Sequence, residues 1–321
     1  MQILVGTSTH GTDSRGIYCT RLDPATGALS EPALAAPADN PTWLLKTEDG
    51  FLTVNEHGDC DGGGQITHFR RDGSAFREVR RLPSHGADPC HLALSGDRLA
   101  VANYSGGSVA LYEWTARRQI AGLLCVLHPD RTGPHPRQQS PHPHGVYFFG
   151  SELQVPDLGG DCIHRYQAAT GELRGVIELP PGSGPRHLSP DGRYLVTELH
   201  NTLIPIHENG AGIPVSTLPA DCTTPSSVAE IQQRPGRIYV SNRGHDSIAV
   251  FRTRPTLELL QHRSTEGRHP RHFLLTPDGR YLLVANRDSN NIVSLAVDEG
   301  GRLGETLSNA HCPAPMHLLP L

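Results

Sequence analysis

Lysine is nearly missing from this chain. Lys46 is the only one among 28 basic residues, and the rest are arginine. A GC-rich genome produces that bias unaided, although arginine is also the better ligand for carboxylate and phosphate. No surplus of positive charge comes with it. The formal net charge is −5, which excludes a whole-molecule field suited to nucleic acid. No apolar run approaches the ~20 residues of a membrane-spanning helix. No basic stretch followed by an apolar core opens the chain: MQILVGTST enters a strand at once, so no secretory leader is expected. The seven cysteines (Cys19, Cys60, Cys90, Cys125, Cys162, Cys222 and Cys312) are odd in number and include no C-x-x-C. That argues against a disulfide framework and makes reduced thiols in the cytoplasm the expectation. The signatures of two chemistries are absent as well. There is no G-x-S-x-G nucleophile motif, and the one His-x-His, at 142–144, falls in a proline-rich loop rather than on a strand, so no metal site is expected.

What the chain does have is repetition. Residues 89–112 read PCHLALSGDRLAVANYSGGSVALY: three short strands separated by SGD and YSGG, which supply the Gly, Asp and Ser of tight turns. Related stretches return at 185–199 (PRHLSPDGRYLVTEL), 236–251 (GRIYVSNRGHDSIAVF) and 270–295 (PRHFLLTPDGRYLLVANRDSNNIVSL). A unit this short cannot bury its own faces and needs copies of itself as neighbours. Glycine (34) and proline (27) are plentiful, as many turns require. Aligned two residues after the recurring proline, the units fall on Trp43, His91, His144, His187, Ser227, His272 and His317, at intervals of 40 to 53 residues. Seven units of four strands predict an all-β, seven-bladed β-propeller using residues 1–321 as a single domain. The last unit starts at 315 and lacks its remainder, while residues 3–22 hold one. The terminal strands are therefore expected to share a blade and close the ring, which removes exposed sheet edges.

A propeller turns a repeat into rings about an axis. The anchors predict five histidines around one channel: His91, His144, His187, His272 and His317. A second ring is expected where the second strands end, at Gly6, Asn55, Asn103, Asp157, Glu198, Asn242 and Asn286. Arg186 and Arg271 precede anchors, and Arg243 and Arg287 follow second-ring positions. Repeated Asn also caps backbone between blades, so Asn55, Asn103 and Asn286 suit that structural role equally well. Glu198 differs. In the apolar strand YLVTELH a lone carboxylate is costly unless paired or used, and Arg186 and Arg243 are its natural partners. Such a group has access to a pKa suited to general base work. DCDGGG at 59–64 reads as a long turn within its blade. The insertion at 132–143, TGPHPRQQSPHP, is the longest, and a long loop in a compact fold is often functional.

The segments DPCHLALSGDRLAVANYSGGSVALYEW, RQQSPHPHG, VPDLGGDCIHRY, GPRHL, AEIQQRPGRIYVSNRGHDSIAVF and HPRHFLLTPDG together resemble the lactonase family of seven-bladed propellers. Its members include bacterial 6-phosphogluconolactonases of the propeller type, with fungal carboxy-cis,cis-muconate cyclases as relatives. The resemblance covers essentially the whole chain, and VSNRGHDSIAVF and VANYSGGSVALY are its most specific parts. It implies a metal-independent enzyme, with no cofactor, acting on a small-molecule lactone. The leading substrate is 6-phospho-D-glucono-1,5-lactone, and the product is 6-phosphogluconate of the pentose phosphate pathway. By this resemblance the catalytic group is His144, Arg186, Glu198 and Arg243, with Glu198 or His144 as the base. His91, Asn103, Asp157, His187, Arg271, His272 and Arg287 are expected to line the substrate pocket. Arginine is the only candidate for a phosphate site. The alternatives are another lactone, such as a carboxymuconolactone, or a non-catalytic binding propeller.

Overall fold

The computed structural model describes residues 1–58, 63–73, 75–115, 120–208 and 210–321, and the turn at 59–64 lies largely outside them. Seven antiparallel sheets form, and their first strands lie side by side around a common axis. Blade 1 is built from Pro315–Pro320, Gln2–Thr7, Gly16–Arg21 and Ala33–Pro37, in that order from the axis outward. Blades 2 to 7 follow along the chain at 44–83, 89–127, 147–178, 185–216, 227–264 and 270–311. The outermost strand of blade 5 is interrupted: Gly210–Ala211 and Val215–Ser216 both pair with Thr202–His207. Both chain ends meet in blade 1, where Ile3 pairs with Pro320, Leu4 with Leu319 and Val5 with Leu318.

The second strands read as unbroken apolar runs because both of their faces are covered. In RLAVAN, Leu99 and Val101 pack with Leu52 and Val54 of blade 2. Ala100 and Ala102 pack with Leu153 and Val155 of blade 4. Each blade thus supplies half of two adjoining cores, and no blade has a core of its own.

Strand register places the rings and corrects three alignments made from the sequence. In blades 3, 5 and 7 the recurring proline pairs with the last residue of the second strand: Pro89 with Asn103, Pro185 with Thr197, Pro270 with Asn286. Blade 1 pairs Pro315 with Thr7 in the same way, and blade 4 pairs Pro143 with Asp157. The strand-end ring is therefore Thr7, Asn55, Asn103, Asp157, Thr197, Asn242 and Asn286, every member fully buried. Gly6 and Glu198 lie one residue off this ring, on either side. A Cβ on Gly6 would stand 2.5 Å from the Pro41 carbonyl oxygen, so only glycine fits there. Two anchors also move. His144 stands one residue, not two, after the paired Pro143, so it occupies the position of Cys90 and Arg186. In blade 6 Val228 pairs with Asn242 where other blades have proline, and Glu230 takes the place assigned to Ser227. A β-bulge follows the paired residue in blades 1, 3, 5, 6 and 7. The span from paired proline to strand end differs between blades, Pro185 to Thr197 in one and Pro270 to Asn286 in another, so a fixed offset misplaces the ring.

Candidate active site

The strand-end ring is a fastening. Asn103 Nδ2 donates to the Ser84 carbonyl at 2.9 Å, and Asn242 Nδ2 does the same to Thr217. Asp157 Oδ1 accepts the backbone N–H groups of His142 and Gly159 at 2.7 and 3.0 Å, and its other oxygen meets His164 at 3.2 Å. These groups tie the strand end to the loop that enters from the preceding blade. They are sealed from solvent and cannot reach a ligand, so Asn103 and Asp157 are corrected from pocket residues to structural ones.

The chemistry stands one residue further on. The next ring is Ser8, Glu56, Tyr104, Leu158, Glu198, Arg243 and Arg287. In six blades its backbone N–H donates to the carbonyl of the residue before the recurring proline. Glu198 bonds Gly184 at 2.7 Å in this way, and Glu56 bonds Asn40 at 3.1 Å. This bond fixes the backbone at the mouth of the channel and leaves the side chain free to project.

Glu198 is the centre of the mouth. Its Oε2 accepts from Arg186 Nη1 at 2.5 Å and stands 2.9 Å from Arg243 Nη2; its Oε1 meets Arg137 Nη1 at 2.8 Å. His144 Nε2 lies 3.8 Å away and accepts a bond from Arg186, since a guanidinium can only donate. Arg186 is 2% exposed and is also held by the Ala229 carbonyl at 2.7 Å. Arg243 is fixed through the carbonyls of Ser227 and Val228. His144, Arg186, Glu198 and Arg243 thus converge from two blades, 5 and 6, and the segment leading into blade 4.

Arg137 was missed, although the loop that carries it was singled out. Gln138, fully buried, pins that loop to the Leu158 carbonyl and Asp161, and the short 3₁₀ turn Pro136–Gln138 sets Arg137 over Glu198 and Tyr104 Oη. Glu56 and Glu230 were missed as well. Aligning the units on the turn after the second strand would have exposed both Glu56 and the true ring.

Electrostatics divide the channel into two layers. At the mouth, burial would raise the Glu198 carboxyl, but Arg243, Arg186 and Arg137 outweigh it and hold the group well below the usual carboxylate range. Burial lowers Arg243 to about 10 against the pull of Glu198. Beneath lies a plug. Trp43 packs tilted against His317 at 4.1 Å and His91 at 4.2 Å, and edge-on against His187 and His272 at 5.5 and 5.7 Å between ring centres. Glu230 Oε2 joins them, 3.2 Å from His187 Nδ1. Burial pushes His91, His187 and His317 well below the ordinary imidazole range and His272 to about 4, and it raises Glu230. His91, His187 and His272 therefore fill the channel below the mouth. Arg271 lines a small void beside Arg186, and Arg287 stands at the rim, 38% exposed and bound to Asp288. Cys90 borders the same void, but burial drives its thiol far above the ordinary range, which removes it as a nucleophile.

Known proteins share this architecture. The family model "Lactonase, 7-bladed beta-propeller" matches residues 2–320. The periplasmic gluconolactonase of Pseudomonas aeruginosa superposes with a TM-score of 0.92 at 32% identity, covering 99% of this chain and 98% of its own. A putative 6-phosphogluconolactonase from Bacteroides fragilis gives 0.88 at 31%, over 99% and 97%. The 6-phosphogluconolactonase of Bacillus subtilis is 32% identical over 97% of this chain and 96% of its own. The Pseudomonas protein overturns the cytoplasmic placement expected from the cysteines. That inference failed because Cys90, Cys162 and Cys312 are buried and unpaired, and a thiol sealed between blades reports its packing, not the redox state outside. Matched along its full length and in its fold, the chain belongs to the lactonase family of seven-bladed β-propellers.

Proposed function

We propose that the protein hydrolyses 6-phospho-D-glucono-1,5-lactone to 6-phosphogluconate. One observation carries the reading: three guanidiniums share one buried carboxylate at the channel mouth, leaving a positive surplus for an oxyanion or a bound anion. Water attacks the lactone carbonyl, whose oxygen gains charge as the tetrahedral centre forms. Arg186 and Arg243 are the donors for that charge, and fixed donors are most effective in a site shielded from water. His144 is the base, because burial and Arg186 keep its imidazole neutral. As the oxyanion forms, Arg186 turns toward it and frees Nε2 for the water proton. Glu198 is not the base in this reading. Both of its oxygens are taken up by guanidiniums, and it serves by holding three arginines in place. Arg287 is the phosphate anchor at the rim, and Arg271 supports it from the void. The similarity to a 6-phosphogluconolactonase and a gluconolactonase supports lactone chemistry and divides on the phosphate.

The test is proton release from the lactone with and without its 6-phosphate, measured against spontaneous hydrolysis. A kcat/KM at least about tenfold higher for the phosphorylated lactone is expected, equivalent to about 1.4 kcal/mol. Arg287→Ala should raise KM for that substrate alone, since an anchor binds ground and transition states alike. Equal rates on both lactones would reject the phosphorylated substrate; no rate on either would reject lactone hydrolysis.

A further inference from the structure

Opening a lactone needs two proton transfers, and the mouth described so far accounts for one. Water must lose a proton as it attacks. The ring oxygen must gain one as its bond to the carbonyl carbon breaks, because an alkoxide is a poor leaving group. Arg137, Arg186 and Arg243 stay charged and bind anions; they cannot deliver that proton at neutral pH.

Glu56 stands in the same ring as Glu198, three blades around, and so faces it across the channel. The two carboxyls have opposite surroundings. Glu198 has three arginines on it. Among the described residues no cation stands within ion-pair distance of Glu56. Its carboxyl is held by Thr42 instead, whose Oγ1 donates to Oε2 at 2.5 Å. Thr42 lines the same small void as Arg186, Arg271 and Cys90, so the hydroxyl that holds Glu56 borders the void beside Arg186. Asp88, Arg186 and Arg287 are the charges that face it from other blades, and His57 follows it on its own segment. We propose that Glu56 is the general acid of this site, giving its proton to the ring oxygen as the lactone opens. The proposal rests on the lactonase reading.

The steps balance. His144 Nε2 takes a proton from water, and the hydroxide adds to the carbonyl carbon. The carbon–oxygen bond of the ring then breaks, its electron pair goes to the ring oxygen, and that oxygen takes the Glu56 proton. The carboxylic acid formed ionises. The proton taken by His144 is replaced on Glu56 through solvent, so that both groups are reset, and one proton is released net per turnover. Burial raises the Glu56 carboxyl, with Asp88 adding to the effect and the Thr42 bond opposing it. Two carboxyls of one pocket driven apart in this way is the arrangement that separates an acid from an electrostatic anchor.

Leaving-group dependence tests the role. Glucono-1,5-lactone releases an alcohol, with a pKa near that of water, about 16. Dihydrocoumarin releases a phenol, with a pKa of about 10, and needs no acid to leave. Glu56→Gln should lower kcat on the sugar lactone by about 10²–10³ and on the phenol lactone by less than about threefold. It should also abolish the fall in rate at alkaline pH. Thr42→Val should move that alkaline fall to higher pH, because it removes a bond that favours the ionised carboxyl. His144→Gln should lower the rate on both lactones. Equal losses on both lactones for Glu56→Gln, or no loss on the sugar lactone, would overturn the proposal and leave the lactonase reading standing. A wild-type protein inactive on every lactone would overturn both.

Discussion

Glu198 at the mouth and Glu230 in the plug are buried to nearly the same depth, 3% and 6% exposed, yet one is pinned as an anion and the other is driven toward its neutral form. The difference lies in their neighbours. Three guanidiniums replace the lost water around Glu198, whereas Glu230 meets imidazoles that burial itself keeps neutral. Depth alone therefore does not decide charge inside this channel; the count of opposing full charges does. The mouth is built to hold charge and the plug to exclude it.

Acid should break this contrast first, and with the largest effect. Each imidazole of His91, His144, His187, His272 and His317 is lower in the folded protein than its unfolded value of 6.5. Their contribution to stability is complete above pH 6.5 and is lost as the pH falls toward the folded values, because the unfolded chain binds protons that the plug refuses. Urea unfolding between pH 8 and 5 should show stability falling with a slope of several protons. A flat profile over that range would mean that the plug accepts charge. Glu198→Gln comes next. It leaves three arginines crowded without their anion, and breaking a buried pair of this kind costs about 3–5 kcal/mol. Turnover should fall by about 10²–10³ with the loss of oriented donors, as stopped assays on purified folded protein would show.

The strand-end ring gives a smaller effect of a different kind. Asn103→Ala strands the Ser84 carbonyl and the Ser108 hydroxyl and should cost about 1–3 kcal/mol of stability, with kcat unchanged within about twofold. A large loss of kcat at unchanged melting temperature would return Asn103 to the pocket. Glu230→Gln should do least, under about 1 kcal/mol, because an amide replaces a carboxyl already driven toward neutrality. The same exchange of Glu for Gln at 198 and 230 then measures the two layers directly.

Much of this was legible in the chain. The period of the repeats carried the blade count and the shared terminal blade, because each unit must bury its faces on the next. His144, Arg186, Glu198 and Arg243 could be gathered from the family motifs. What the repeats could not carry was position to within one residue. Glu198 and Asn103 look equivalent in an alignment, but the hairpin of blade 5 is shorter: Pro185 pairs with Thr197 where Pro89 pairs with Asn103, so the strand end falls one place before Glu198. One place separates a sealed fastening from an open mouth. Glu230 was hidden because blade 6 has valine where other blades have the paired proline. Arg137 reaches the site only through the fold of its loop, and no period marks it.

The meeting of both chain ends in blade 1 sets a schedule for synthesis. Ile3 is made roughly 317 residues before its partner Pro320. At about 5–20 residues per second the wait between them is roughly 15–65 s. Through that interval the nascent chain is an open arc, with Gln2–Thr7 lacking its inner partner and the plug lacking His317 and its contact with Trp43. The mouth cannot be fully framed until translation of this segment is complete. A chain halted before residue 315 would therefore lack the inner strand of blade 1 and leave the channel unsealed.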